Sequence, residues 1–299
     1  MTDSQKASYF AEPDGQCVCH LQMHFVPMFR TSQTILRGNR PATAAASSTA
    51  GAIKKRWCMI IATYVSKKLR PSECALLKVF IPAFLRSIAS SMSQYGFSVY
   101  LGTQVDPSWD TSSEMLNAVL AQLKGSVDLT VIRYPLHANL RDLVWKYNEL
   151  ARVAYQDGCD YIYQFSDDAS ILTEGWPAAL AQFLDSHGGF GTVGMRDSQN
   201  SRTMTLGASG RLHMQIQGWF WPPAMKNWHA DDFIHKVYGP RFSKRLEDYR
   251  FNNTQHHKRR YGPCSGEALL ESELRKARQK AAVHFDHYDP AISAYLRTL

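Results

Sequence analysis

Two pairs of adjacent aspartates are the residues whose type and spacing best suit chemistry in this chain. Asp167 and Asp168 follow the mostly apolar run 161–165, with only Ser166 between them. Adjacent carboxylates at the end of a buried strand repel each other and lose hydration unless a positive group meets them. A divalent metal ion that carries a phosphate ligand is one such group. The first pair therefore predicts a metal-assisted site.

The second pair, Asp231 and Asp232, comes shortly after the aromatic run Trp219-Phe220-Trp221. A carboxylate crowded by another carboxylate has a raised pKa, and it can then take a proton from a substrate group. A structural explanation also fits, because aspartates in the first turn of a helix are stabilised by the helix dipole. His213 and His229 could line the same pocket, although single histidines are more often structural.

The elements that must position these residues alternate from Lys54 onward, up to an irregular region after Asp197. Continuous apolar runs are typical of parallel strands buried on both faces, and segments of helical periodicity separate them. Pro82 predicts a kink or a break in the first helix. This order favours an α/β fold with a mostly parallel, Rossmann-like nucleotide-binding sheet flanked by helices. The predicted strands cover 56–64, 97–102, 129–133, 161–165 and 191–195, and the predicted helices cover 71–95, 114–123, 140–156, 175–186 and about 267–283.

Several polar side chains fall where the predicted strands end. Thr63 and Tyr64 close the first strand, Asp106 follows the second, and Asp167 follows the fourth. In open α/β sheets, ligands bind outside the carboxyl ends of the strands. We therefore expect these side chains to line a ligand site, although a plain turn explains Asp106-Pro107 equally well.

The N-terminal segment differs in composition from the rest of the chain. The stretch 41–51 consists almost entirely of small residues, which bury little surface. We expect a flexible low-complexity tail at 1–52 and a single domain at 53–299. Residues 15–72 hold nine basic residues and no acidic one, while the whole chain has a net charge of +8. The rest of the chain has a net charge of −1, so the basic charge belongs mostly to the N-terminal region, which argues against a dedicated nucleic-acid-binding protein.

Cysteine usage and hydropathy bear on the compartment. The six cysteines lack the spacing of a metal knuckle or a disulfide framework, so we expect reduced structural thiols. No apolar run approaches the roughly 20 residues that span a bilayer, and the first residues lack the layout of a secretory signal. These observations predict no transmembrane segment and, by default, a soluble intracellular protein.

Taken in order, these segments resemble a nucleotide-sugar-dependent glycosyltransferase of the GT-A fold, similar to family 2. Ser166-Asp167-Asp168, followed by Gly175-Trp176, resembles the D-x-D region of these enzymes. The segment 227–234, Asn-Trp-His-Ala-Asp-Asp-Phe-Ile, resembles their acidic acceptor-side motif. The resemblance covers about residues 54–262. It implies a hexosyltransferase-type reaction, in which a sugar passes from a nucleotide diphosphate donor to a carbohydrate or another hydroxyl acceptor.

On the donor side, the resemblance implies a divalent cofactor, Mn²⁺ or Mg²⁺, that holds the diphosphate of the donor. This chain has Ser166 where the first aspartate of the motif would stand. Asp168 is therefore the expected metal ligand, and Asp167 is expected to support it or to contact the ribose. A late histidine, His257, is expected to complete the metal ligands. The other residues expected to contact the nucleotide sugar are Thr63, Tyr64, Asp106 and Asn148.

On the acceptor side, an inverting enzyme needs a carboxylate that takes the proton of the attacking hydroxyl. The resemblance gives this role to Asp231 or Asp232, with Asp232 as the first choice. Trp219, Trp221 and Trp228 are expected to stack on acceptor sugar rings. Each of these aromatic side chains also suits a hydrophobic core.

Two other functions fit parts of the sequence. A nucleotidyltransferase uses a similar sheet and metal, but it needs a glycine-rich loop after the first strand, and the segment 67–70, Lys-Lys-Leu-Arg, has no glycine. A catalytically inactive nucleotide- or carbohydrate-binding module would explain Ser166 in place of an aspartate. The Ser-Asp-Asp sequence is also common in turns and helix caps.

Overall fold

A single mixed sheet organises the molecule. The computed structural model describes the backbone of residues 35–37 and 104, and all atoms of residues 54–63, 70–103, 113–123, 125–134, 143–253 and 266–299. The strands are β1 (Ile35–Arg37), β2 (Arg56–Ala62), β3 (Gly96–Gln104), β4 (Asp128–Tyr134), β5 (Tyr161–Ser166), β6 (Ala169–Ile171), β7 (Thr192–Asp197), β8 (Ala208–Gly210) and β9 (Ser243–Asn253). Their order across the sheet is β1-β4-β3-β2-β5-β8-β7-β9-β6.

The strands pair mostly in parallel. β4, β3, β2 and β5 are parallel neighbours, and β7 is parallel to β9. Every antiparallel pair involves one of the short strands β1, β6 and β8. The predicted α/β class with a mostly parallel sheet is confirmed. β1 lies inside the segment 1–52, so three residues of that segment extend the sheet beside β4.

Helices pack on both faces of the sheet. Alternate side chains of β2 enter two separate cores: Trp57, Met59 and Ile61 lie in one, and Cys58 and Ile60 lie in the other. None of the helices that the structure describes is long and apolar enough to cross a membrane. The helices are α1 (Ile81–Ile88), α2 (Glu114–Leu123), α3 (Leu143–Gln156), α4 (Trp176–Asp185), α5 (Arg211–Gln217), α6 (Ala230–Lys236), α7 (Gly239–Phe242), α8 (Glu267–Phe285) and α9 (Pro290–Thr298). The first core includes α1, α2 and α4, and the second includes α3, α5, α6 and α8.

The first helical segment is irregular before Pro82, where the sequence predicts a kink or a break. A 3-10 turn at Pro71–Glu73 is followed by a π-helical stretch at Leu76–Phe80, and α1 begins only after it. Pro82 lies in the first turn of α1. The Ile81 N–H still bonds to the Leu76 carbonyl in the π-helical pattern, so the irregular hydrogen bonding lies directly before the proline, which has no N–H to donate.

The region after Asp197 holds more regular structure than its sequence predicts. It contains the strand β9, which pairs with β7 on one side and with β6 on the other. Ser243 and Phe251 are the only fully buried residues of β9, so the strand lacks the alternation that would reveal it. The pairing with β7 shifts register between Met195 and Arg196.

Cys58 and Cys159 form a disulfide bond, with their Cα atoms 6.0 Å apart. The prediction of reduced thiols is therefore wrong for this pair. The two cysteines are 101 residues apart in the sequence, and the pairing of β2 with β5 brings them together. Spacing along the chain could not show this contact. Cys74 is a buried free thiol within the described residues.

Candidate functional site

The carboxyl ends of β2 and β5 meet in the middle of the sheet. Ala62 and Ser166 are register partners, so the next residues, Thr63 and Asp167, emerge side by side. The Thr63 hydroxyl donates a hydrogen bond of 2.6 Å to Asp167 Oδ2. Both side chains are buried. Two residues that the sequence places at strand ends are thus in direct contact.

Asp168 completes a tight acidic turn between β5 and β6. Asp168 is buried, with 8% of its surface exposed. The Ser166 hydroxyl donates a 2.8 Å hydrogen bond to Asn253 Oδ1. Asn253 ends β9 and pairs with Ala169, directly after Asp168. The last residue of β9 therefore borders the acidic turn. The sequence gives no signal for this contact.

Oxygen atoms dominate the donor set around this turn. Carboxylates, hydroxyls and an amide are supplied by Thr63, Ser166, Asp167, Asp168 and Asn253. Among the residues that the structure describes, no group of three or more His, Cys, Asp or Glu side chains is arranged to hold a metal ion. A metal at this turn would consequently take further ligands from the substrate or from residues beyond the described ones.

Three of the residues that the sequence assigns to the donor site lie outside the described residues. They are Tyr64, Asp106 and His257. Their predicted contacts with nucleobase and metal stay predictions.

The helix α3 connects the end of β5 to the aromatic segment 219–221. The Tyr147 hydroxyl donates to the carbonyl of Phe165 at 2.7 Å, and its ring packs edge-on against Trp221, with 5.1 Å between centroids. Asn148 Oδ1 accepts from the backbone N–H groups of Phe220 and Trp221, at 3.0 and 2.8 Å. Asn148 Nδ2 donates to the Trp221 carbonyl at 2.8 Å. Asn148 thus clamps this segment, and its predicted nucleotide contact stays a prediction.

The three tryptophans of the predicted acceptor platform differ in exposure. Trp221 is 3% exposed and belongs to the core, so its position is structural. Trp219 and Trp228 are partly exposed. The Trp219 ring lies 5.7 Å from that of Phe233 in α6, and the Trp228 ring stands edge-on to His229 at 6.1 Å. Of the three tryptophans, only Trp219 and Trp228 present surface on which an acceptor ring could stack.

His213 also holds the aromatic segment 219–221 in place. It is fully buried, and its Nε2 lies 3.0 Å from the carbonyl oxygen of Phe220. A carbonyl only accepts, so Nε2 carries the proton and Nδ1 accepts from the Tyr238 hydroxyl at 2.8 Å. Burial lowers the pKa of His213 to about 4, which keeps the ring neutral at physiological pH. His213 is therefore structural.

The second acidic pair lies in the first turn of α6, where the helix dipole favours negative charge. Asp231 Oδ1 accepts from the backbone N–H of Asp232 at 3.0 Å. Burial, and then the neighbouring charge of Asp232, raise the pKa of the Asp231 carboxyl. Asp232 Oδ2 lies 2.9 Å from Nδ1 of His229. The sequence predicts the two aspartates but not this pairing with a histidine.

α6 packs against Gly207, a residue that is hydrogen-bonded to β5. The carbonyl of Gly207 accepts from the Gln164 backbone N–H at 3.1 Å. A Cβ atom on Gly207 would lie 2.7 Å from the Ile234 side chain, so α6 rests directly on this residue. The glycine therefore permits the helix that carries Asp231 and Asp232 to approach the central strand that ends in the first acidic pair.

Comparisons with known proteins add structural neighbours of low similarity. No known protein family matches the sequence, and no curated protein matches it. The structure of S. aureus TarS is 13% identical with a TM-score of 0.44, over 80% of this chain and 41% of that chain. S. aureus TarS 1-349 in complex with UDP-GlcNAc is 13% identical with a TM-score of 0.42, over 80% of this chain and 69% of that chain.

A third neighbour is a protein from Desulfovibrio desulfuricans G20 that is provisionally named a nucleotide-diphospho-sugar transferase. It is 10% identical with a TM-score of 0.38, and the match covers 81% of this chain and 94% of that chain. The present chain spans less than half of the longer TarS chain, at 41%.

Proposed function

We propose that this chain is a metal-dependent glycosyltransferase that moves a sugar from a nucleotide diphosphate donor to a hydroxyl acceptor. The observation that carries the proposal is the hydrogen bond between Thr63 and Asp167. It joins the carboxyl ends of two adjacent parallel strands at the centre of the sheet, and Asp168 follows at once. In open α/β sheets this edge is where nucleotides bind.

The acidic turn suits Mn²⁺ or Mg²⁺, because its donors are hard oxygen atoms. Asp168 would hold the ion, and Asp167, whose position Thr63 fixes, would support it or contact the ribose. When bound, the ion neutralises charge on the departing diphosphate. His257 follows Asn253 by four residues, and four residues span at most about 14 Å. His257 is thus within chain reach of the acidic turn as a further ligand.

The acceptor would bind over the other acidic pair. Trp219 and Trp228 offer partly exposed aromatic faces there, and Asp231 and Asp232 stand at the start of α6. A hydroxyl that attacks the sugar C1 from the face opposite the diphosphate inverts the configuration at C1. Its proton must pass to a base, and the start of α6 supplies candidates.

Donor binding tests this proposal. Thermal unfolding would be followed with a panel of nucleoside diphosphates and nucleotide sugars, with and without Mn²⁺, because a ligand that binds the native state raises its apparent stability. We expect a metal-dependent rise for one nucleotide in the wild type, and its loss in Asp168→Ala. The matched control is Asp248→Ala, which removes an exposed carboxylate on β9. A folded wild type that responds to no nucleotide would refute the proposal.

A catalytically inactive binding module is the second candidate, and one observation favours it. Ser166 replaces an acidic residue, and its hydroxyl is engaged by Asn253. Such a module would bind the nucleotide sugar without releasing its nucleoside diphosphate. Measuring that release on the ligand found by thermal unfolding separates the two functions.

A further inference from the structure

His229 and Asp232 form a polar pair at the start of α6. His229 Nδ1 lies 2.9 Å from Asp232 Oδ2, and the two side chains are 20% and 18% exposed. An ionised carboxylate can only accept, so Nδ1 carries the ring proton. The lone pair of the imidazole is then on Nε2, for which the described residues supply no hydrogen-bond partner. This is the arrangement of a histidine base oriented by a carboxylate.

The backbone at His229 is unusual. Its φ of 65° makes it the sole residue other than glycine with positive φ in the described part of the chain. A side chain in this left-handed region costs roughly 1–2 kcal/mol, and glycine would avoid the cost. Such strain concentrates where a site requires a particular side chain. A histidine here therefore needs a reason other than the turn itself.

The two aspartates are less available as bases than their sequence implies. Asp231 Oδ1 accepts from the N–H of Asp232, and Asp232 Oδ2 is engaged by His229. Each carboxylate thus uses one of its two oxygen atoms in a hydrogen bond within the turn. Nε2 of His229 is a further basic position of this group, and the turn itself leaves it unused.

The same loop holds an unsatisfied amide. The side-chain oxygen and nitrogen of Asn227, two residues before His229, are both buried without a hydrogen-bond partner in the described structure. A buried polar group without a partner costs about 1–3 kcal/mol. A ligand hydroxyl that reached this amide would satisfy it. This independent feature points to a polar ligand, such as a sugar, at the loop 227–232.

We propose that His229 is the general base of the transfer and that Asp232 is its positioning residue. This inference rests on the proposed function. As the acceptor oxygen bonds to the sugar C1, the bond from C1 to the diphosphate oxygen breaks and its electron pair leaves with the diphosphate. The hydroxyl proton passes to Nε2 of His229. Asp232 stabilises the imidazolium of His229 until His229 returns the proton to water.

The test uses the His229→Gly variant, in the full chain, with the donor identified by thermal unfolding. Glycine adopts the φ of this position without strain, so the turn is retained while the base is lost. We expect kcat for transfer to fall about 10²- to 10⁴-fold, the usual contribution of general base catalysis, with unchanged KM for the donor. Added imidazole should restore part of the rate, which a merely structural histidine would not allow.

The variants Asp232→Asn and Asp232→Ala distinguish the two possible bases. If Asp232 only positions His229, Asp232→Asn should lower kcat less than His229→Gly does, and formate should not rescue Asp232→Ala. Transfer at the wild-type rate in His229→Gly, or rescue of Asp232→Ala by formate, would overturn the assignment and return the base to Asp232. Those outcomes leave the proposed function intact. A wild type that uses no nucleotide sugar would instead refute both the proposed function and the role of His229.

Discussion

Asn148 gives the sharpest test of how the site is built, because the sequence and the structure give it different roles. The sequence predicts a contact with the nucleotide, and the structure shows three hydrogen bonds to the backbone of Phe220 and Trp221. The substitution Asn148→Ala removes all three. It leaves two N–H groups and one carbonyl without their partner in the protein interior.

The cost of this substitution follows from the number of groups. A hydrogen bond contributes a net of about 1 kcal/mol, and a buried group left unsatisfied costs about 1–3 kcal/mol. Three such groups predict a loss of at least about 3 kcal/mol in the free energy of unfolding of the ligand-free protein. The loss would be lower only if the segment 219–221 moved enough for water to reach the freed groups.

Urea unfolding of the ligand-free protein measures this loss. The midpoint should fall in Asn148→Ala while the slope against urea stays the same. The matched control is Asn117→Ala, the same substitution at an exposed position of α2, which should leave the midpoint almost unchanged. An unchanged midpoint in Asn148→Ala, together with loss of nucleotide binding, would refute the clamp and support the nucleotide contact.

Three further predictions concern the framework of the site. The pKa of His213 is about 4 in the native state against an ordinary value of roughly 6.5, so its contribution to stability is complete above pH 6.5 and is lost as pH falls towards 4. Between pH 6.5 and pH 4, the free energy of unfolding should therefore fall by about 3 kcal/mol more in the wild type than in His213→Gln. Urea unfolding at each pH measures this difference. The disulfide bond between Cys58 and Cys159 closes a long loop, so its reduction should lower the free energy of unfolding by about 2–4 kcal/mol. A thermal scan of the double alanine variant should show no effect of reductant. A Cβ on Gly194 would overlap a backbone carbonyl oxygen, so Gly194→Ala should destabilise the protein by about 1–3 kcal/mol, while Gly96→Ala, whose Cβ would meet its nearest atom at 3.7 Å, should have a much smaller effect.

The sequence predicts the parallel centre of the fold because its strands carry their own signal. Strands β2 and β5 are continuous apolar runs, and both are buried along almost their whole length. Their ends therefore place Thr63 and Asp167 at one edge, and the structure brings these two into contact. Adjacent parallel strands also bring Cys58 and Cys159 together, but a contact between residues so far apart depends on strand order, which spacing does not encode.

The parts that the sequence does not predict depend on tertiary contacts. β9 is rich in charged residues and forms only because β7 and β6 lie on either side of it. Its last residue, Asn253, consequently reaches the acidic turn without any local signal. The pairing of His229 with Asp232 has a weak signal, a histidine three residues before an acidic residue at a helix start, but the positive φ that shapes it is not visible in the sequence.

Release of a nucleoside diphosphate from nucleotide sugars tests the central claim most directly. The assay would compare wild type, Asp168→Ala and Asp248→Ala with each donor, in the presence of Mn²⁺ and a panel of hydroxyl acceptors. A glycosyltransferase should release the nucleoside diphosphate from one donor, with Asp248→Ala equal to wild type and Asp168→Ala lowered by at least 100-fold, on the order expected when charge stabilisation is removed. Binding of that donor by the wild type without any release would contradict the claim.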